Sequence, residues 1–120
     1  MTPWLLVAAG SALGGLARYA CGLWALALFG GGFPWGTLIV NIVGSFVIGL
    51  VAGLTTSADV RLFVMVGLCG GYTTFSAFSL ETLALVQAGA WGRAGLYIAL
   101  SLGACLVAVW LGYLGAAKSA

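Results

Sequence analysis

The chain has 120 residues, 63% of them apolar and only 5% charged, where ordinary soluble domains carry about a quarter charged residues. Six charged side chains (Arg18, Asp59, Arg61, Glu81, Arg93 and Lys118), a formal charge of +2 and no histidine leave almost nothing for acid–base or zinc chemistry. The four cations are scattered, so they form neither a phosphate-binding footprint nor a polybasic lipid-binding segment. An enzyme and a nucleic-acid binder are both disfavoured, and an integral membrane protein is expected.

A membrane-spanning helix needs about 20 mainly apolar residues, and four such segments nearly use up the chain as one four-helix transmembrane domain over 1–120. The first span runs over 3–29 and ends in the turn-forming cluster Gly30-Gly31-Gly32-Phe33-Pro34. No basic residue precedes it, and it is longer than a signal peptide's apolar core, so it is expected to stay in the protein. The second runs over 35–54 and stops at the polar stretch Thr55-Thr56-Ser57-Ala58-Asp59. The third, 60–87, exceeds the length a span requires and carries Gly70-Gly71 and Thr73-Thr74 near its middle, the pattern expected of a helix broken at mid-membrane. The fourth runs over 93–115 and leaves a short tail with Lys118. Trp4, Trp35, Trp91 and Trp110 fall near span ends, where an interfacial aromatic belt would place them; lipid-facing bulk accounts for them equally well. Cys21, Cys69 and Cys105 are odd in number and form no metal or redox spacing, so they are expected to be small buried apolar residues.

Arg61 and Lys118 fall on one side of the membrane and Arg93 on the other, with Arg18 in the far half of the first span, so the positive-inside bias is close to nil. A protein without an orienting charge can insert both ways, and two oppositely inserted copies would form an antiparallel dimer; a single orientation fixed by other factors is the alternative. Gly10-xxx-Gly14, Ser45-xxx-Gly49 and Gly49-xxx-Gly53 put small residues on single helix faces, which favours close helix–helix contact within or between subunits.

Polar groups inside a membrane are costly and therefore point to function. They comprise Arg18, Thr37, Asn41, Ser45, the hydroxyls of Thr73, Thr74, Ser76 and Ser79, then Glu81, Thr82, Tyr97 and Ser101. Thr37, Asn41 and Ser45 are spaced four apart and line one helix face. Amide and hydroxyl donors, with the partial positive charge of a helix N-terminus at a break, suit a small hard anion. Carbonyls on the other side of the same break suit a hard cation such as Na⁺. Phe75 and Phe78, at i and i+3, share a face and could present positive ring edges to an anion; packing in the core is the plainer reading.

Three stretches are more specific. Gly14-Gly15-Leu16-Ala17-Arg18-Tyr19, the run Gly36-Thr37-Leu38-Ile39-Val40-Asn41-Ile42-Val43-Gly44-Ser45-Phe46, and the run from Gly67 to Glu81 through Gly70-Gly71-Tyr72-Thr73-Thr74-Phe75-Ser76-Ala77-Phe78-Ser79 together resemble the Fluc (CrcB) fluoride channels. The resemblance extends through all four spans. It implies passive, fluoride-selective conduction that protects a bacterium against fluoride, in a multi-pass protein of the bacterial cell (inner) membrane. It also implies a dual-topology antiparallel homodimer with two pores at the subunit interface and a central Na⁺. By the same resemblance Asn41 is the amide donor of the pore, and Phe75 and Phe78 are the rings that contact the anion. Thr37, Ser76, Ser79, Glu81, Tyr97 and Ser101 resemble the polar track, Arg18 an anion-attracting vestibule residue, and the Gly70 and Thr73 carbonyls the Na⁺ ligands. Ala77 departs from the family's pattern, which usually has a hydroxyl residue there.

Two other readings compete. A proton-coupled exporter of the small multidrug resistance type needs a carboxylate in the first span, where this chain has Arg18 and no acid. A non-transporting scaffold would use the small-residue stripes but leaves the polar residues of the second and third spans without a purpose.

Overall fold

The computed structural model of the chain describes residues 2–119, and its side chains through residue 117; the Lys118 side chain counted above lies outside the described residues. The fold is all-helical. Helix α1 covers Thr2–Phe29 and α2 covers Trp35–Leu54. Helix α3 opens at Ala58–Val60, widens into a π-helical stretch over Arg61–Cys69 and closes with Gly70–Tyr72. Helix α4 covers Phe75–Gln87 and α5 covers Trp91–Ser119. Four helical stretches are long and apolar enough to cross a membrane: Thr2–Phe29, Trp35–Leu54, Ala58–Gln87 and Trp91–Ala117.

The helix ends follow from local chemistry. Gly30 closes α1 with a positive φ of 75° and donates its N–H to the Leu26 carbonyl at 2.9 Å, an arrangement that a Cβ would oppose. Pro34 then precedes α2, where its missing N–H is no loss. Ser57 caps the start of α3 by accepting from the Val60 N–H at 3.4 Å, so this helix begins at Ala58 rather than at Val60. Gly89, with φ 77°, ends α4 and lets α5 start at Trp91, two residues ahead of Arg93. Helix α5 also runs through Gly115 to Ser119, where a tail was expected. A glycine inside a helix costs only about 1 kcal/mol, less than leaving helical backbone groups unsatisfied in an apolar solvent.

Helix α2 is tied off at its C-terminal end by Arg61, which donates from Nε to the Thr55 carbonyl at 2.9 Å and from Nη2 to the Ala52 carbonyl at 3.0 Å. A cation there complements the negative end of the helix dipole.

Two seams hold the helices together, α1 on α3 and α2 on α5, and both are built from glycine against backbone. A Cβ on Gly10 would run into the Phe63 carbonyl, and one on Gly14 into the Leu68 carbonyl. From the other side, a Cβ on Gly71 would stand 2.6 Å from the Ser11 carbonyl oxygen. In the second seam Gly49 faces the Val109 backbone, Gly112 faces the Phe46 carbonyl, and a Cβ on Gly53 would lie 2.6 Å from the Ala116 Cβ. The stripes Gly10-xxx-Gly14 and Gly49-xxx-Gly53 therefore pack inside the subunit. What remains of a side-chain core is a cluster of Leu38, Phe78 and Tyr97 flanked by Phe33, Ile42 and Leu85. Large apolar residues point outward, Trp4 at 79% and Leu16 at 67% exposure, as a lipid-solvated surface requires.

The seams make a contrast that can be measured. Gly49→Val drives a branched side chain into the Val109 backbone and is expected to cost about 2 kcal/mol or more by overpacking. Gly92→Ala, with nothing within 4 Å of the added carbon, is expected to be neutral or mildly stabilising. Thermal unfolding of the detergent-solubilised protein checks both, and equal midpoints for the two variants would show that the seam tolerates bulk.

Candidate functional site

The site is organised by two residues between α3 and α4. Thr73, with φ −83° and ψ 154°, and Thr74, with φ −152° and ψ 118°, are extended. Extended backbone between two helices leaves peptide groups without helical partners, a state that an apolar solvent penalises heavily. The N–H groups of both residues and the Thr74 carbonyl are nonetheless taken up. The Thr73 N–H and its Oγ1 both donate to the Cys69 carbonyl, each at 2.9 Å. Asn41 of α2 accepts from the Thr74 N–H through Oδ1 at 2.8 Å and donates through Nδ2 to the Thr74 carbonyl at 3.1 Å. The Thr74 hydroxyl in turn accepts from the Ala77 N–H at 3.1 Å and caps α4. Since the Thr74 N–H is held by Asn41, the Gly70 carbonyl loses the i+4 donor that a continuous helix would give it.

A groove of about 380 Å³ opens beside this interruption, and Asn41, Thr73, Thr74, Phe75, Phe78 and Ser101 all line it. The two phenylalanine rings lie 5.4 Å apart with their planes at 51°. Their surroundings differ: Phe75 is 73% exposed, while Phe78 is buried and packs against Tyr97, ring centres 5.1 Å apart and planes tilted at 50°. The groove thus joins an amide that retains one free N–H, hydroxyls and aromatic edges in otherwise apolar walls. Ser45 and Cys105 also face it, whereas Ala77 is not among its lining residues.

The other candidate residues fall into separate places. Thr37 and Glu81 meet in a second cleft of about 510 Å³ beneath the Gly30–Pro34 loop, where the Thr37 hydroxyl donates to Glu81 Oε1 at 2.5 Å. Arg93 lines the same cleft and holds the loop through a 3.2 Å bond to the Gly32 carbonyl. Arg18 is exposed, lines a third cleft that also reaches Thr37, and places Nε 3.4 Å from the Gly71 carbonyl. Tyr97 and Ser101 sit one turn apart on α5, both buried, with hydroxyls that have no partner in hydrogen-bonding geometry within the described residues. Ser76 and Ser79 are exposed on α4 and are not among the residues that line the groove; Ser79 bonds back to the Phe75 carbonyl at 3.0 Å and Ser76 lies 3.2 Å from the Thr74 hydroxyl.

Sequence reasoning alone missed three contributors. Cys69 supplies the carbonyl that takes both Thr73 donors, and Cys105 and Gly44 line the groove. Nothing in an apolar cysteine or an interhelical glycine marks such a role. The capping by Thr74 could have been read, since a threonine directly before a helical stretch is a common N-cap.

These features define a multi-pass membrane protein with an open, donor-bearing groove beside interrupted helix backbone. The family model described as CrcB-like protein, camphor resistance (CrcB), matches residues 5–113, and the chain belongs to this family. Its relatives include the fluoride-specific ion channel FluC of Opitutus terrae, 50% identical over 97% of this chain and 93% of the relative. The channel of the same name from Thermus thermophilus is 52% identical over 92% of this chain and 90% of its own length. That from Rhodospirillum rubrum is 53% identical, covering 94% and 93%.

If Asn41 holds the extended residues, its loss has a defined cost. Asn41→Leu keeps the bulk and strands both Thr74 groups, and is expected to destabilise the protein by about 1–3 kcal/mol. A melting midpoint in detergent that matches the wild type would show that the amide does not support this backbone.

Proposed function

We infer that this chain is a fluoride-specific ion channel that passes F⁻ passively across the bacterial cell membrane and so protects the cell from fluoride. The observation that carries this reading is the near full-length identity, half the residues or more, to relatives named as fluoride-specific ion channels. The groove supports it chemically. Its donors are few and close, and in a narrow path they can replace the water shell of a small anion without widening for a larger one. The proton-coupled exporter has no counterpart in the family to which the chain belongs.

The finer reading assigns roles. Asn41 offers its remaining N–H to the anion, and the edges of Phe75 and Phe78 contribute positive quadrupole. Thr37, Ser76, Ser79, Glu81, Tyr97 and Ser101 form a polar track beside the path, and Arg18 draws anions toward a vestibule. The interruption at Thr73 and Thr74 lies at mid-membrane. Two subunits of opposite insertion complete two pores, each open groove being closed by the other subunit. In favour of this, the groove is open along one side and Phe75 projects from the subunit surface. A structural Na⁺ fits the donor set: the Gly70 and Thr73 carbonyls are hard oxygen ligands released from the helix pattern. When bound, the ion would neutralise the carbonyl ends of the interrupted helices at the centre of the dimer.

Purified protein in liposomes decides the main point. Fast F⁻ efflux at a fluoride electrode with Cl⁻ retained is the expected result, and comparable release of both anions would overturn the assignment. Among variants, Phe75→Ile keeps apolar bulk and removes the ring edge; its F⁻ efflux is expected to fall roughly tenfold, equivalent to about 1.4 kcal/mol of barrier, with dimerisation intact.

A further inference from the structure

We infer that Gly44 is a positioning residue of the conducting site: the missing side chain at this position is the seat that lets Thr73 and Thr74 lie extended against α2. This rests on the channel reading for its consequence in flux, but its geometry stands independently. Gly44 is buried within α2 and lies three residues after Asn41, so both occupy the helix face turned to the interruption. Asn41 takes hold of the Thr74 backbone, and Gly44 receives the neighbouring residue. A Cβ on Gly44 would overlap the Thr73 Cγ2 methyl outright and would stand 3.3 Å from Tyr72 Cδ2 and 3.6 Å from Thr73 Cβ.

The glycine is there for space and not for backbone freedom. Among the described residues only Gly30 and Gly89 take a positive φ, and Gly44 sits in ordinary helix, where alanine would normally be the better residue. Nor can the methyl turn aside at little cost. The Thr73 hydroxyl is committed to the Cys69 carbonyl at 2.9 Å, and a β-branched side chain is stiff at χ1. Rotating Cγ2 away from α2 would carry Oγ1 off its acceptor. An added carbon at 44 therefore pushes the Thr73 backbone away from α2, which draws Thr74 off the Asn41 amide and shifts the carbonyls of the interruption.

The overlap names its own suppressor. Thr73→Ser deletes the obstructing methyl and keeps both the hydroxyl and the backbone, so it should relieve Gly44→Ala specifically. The experiment compares wild type, Gly44→Ala, Thr73→Ser and the double variant in F⁻ efflux from liposomes, with amide hydrogen exchange over residues 73–78 as a second readout. Gly44→Ala is expected to slow efflux roughly tenfold or more and to raise exchange at these amides. The double variant is expected to return to the Thr73→Ser level in both.

Efflux of Gly44→Ala equal to the wild type, or a double variant as slow as Gly44→Ala, would overturn the inference. Should Gly44→Ala fail to fold, a folded double variant supports it and an unfolded one overturns it. If the wild type passes no F⁻, the channel reading fails, and the exchange pattern alone decides whether Gly44 seats the interruption.

Discussion

The amide of Asn41, bonded through Oδ1 to the Thr74 N–H and through Nδ2 to the Thr74 carbonyl, is the contact on which the remaining site geometry depends. A peptide unit outside a helix has nowhere to turn in hydrocarbon unless another part of the chain supplies both a donor and an acceptor. Asparagine supplies both from one planar group, as a neighbouring strand would. With Thr74 satisfied, α4 can begin afresh under the Thr74 cap, Phe75 and Phe78 are set side by side at its start, and the Gly70 carbonyl is freed. Remove the amide and each of these features loses its cause.

The subunit divides its resources unequally. Glycines bring α1 to α3 and α2 to α5 at backbone distance, so little side-chain volume is needed to join the helices. The aromatic and hydroxyl side chains are left for the groove and the outer surface. The few buried large residues, Leu38, Phe78 and Tyr97, lie next to the groove and brace one of its two rings through Tyr97.

Much of this was legible in the sequence. Twenty-residue apolar stretches interrupted by Gly30–Pro34 and Thr55–Asp59 could only be membrane-crossing helices. The motifs around Asn41 and from Thr73 to Glu81 were specific enough to indicate the family to which the chain belongs. The pairing of polar residues was not legible. Periodicity states which residues share a helix face but not which neighbour that face meets, so Asn41 could be read as a donor without its partner Thr74 being visible. The same limit hid the meeting of Thr37 with Glu81 and the outward position of Ser76 and Ser79. The widened π turn over Arg61–Cys69 left no signal either, because its residues are as apolar as those of any span. Gly44 was hidden for the opposite reason: in a chain with 20 glycines, one more small residue carries little information until the methyl opposite it is seen.

Each of the three arginines ends on a peptide carbonyl: Arg18 on Gly71, Arg61 on Ala52 and Thr55, and Arg93 on Gly32. A carbonyl carries no net charge, so these bonds hold each guanidinium in place without cancelling its charge, as a carboxylate partner would. The loop at Gly32, the end of α2 and the approach to the interruption thus each keep a fixed positive charge, and fixed charges of one sign raise the local concentration of ions of the other. The same side chains that fasten the backbone therefore also bias the surface toward anions.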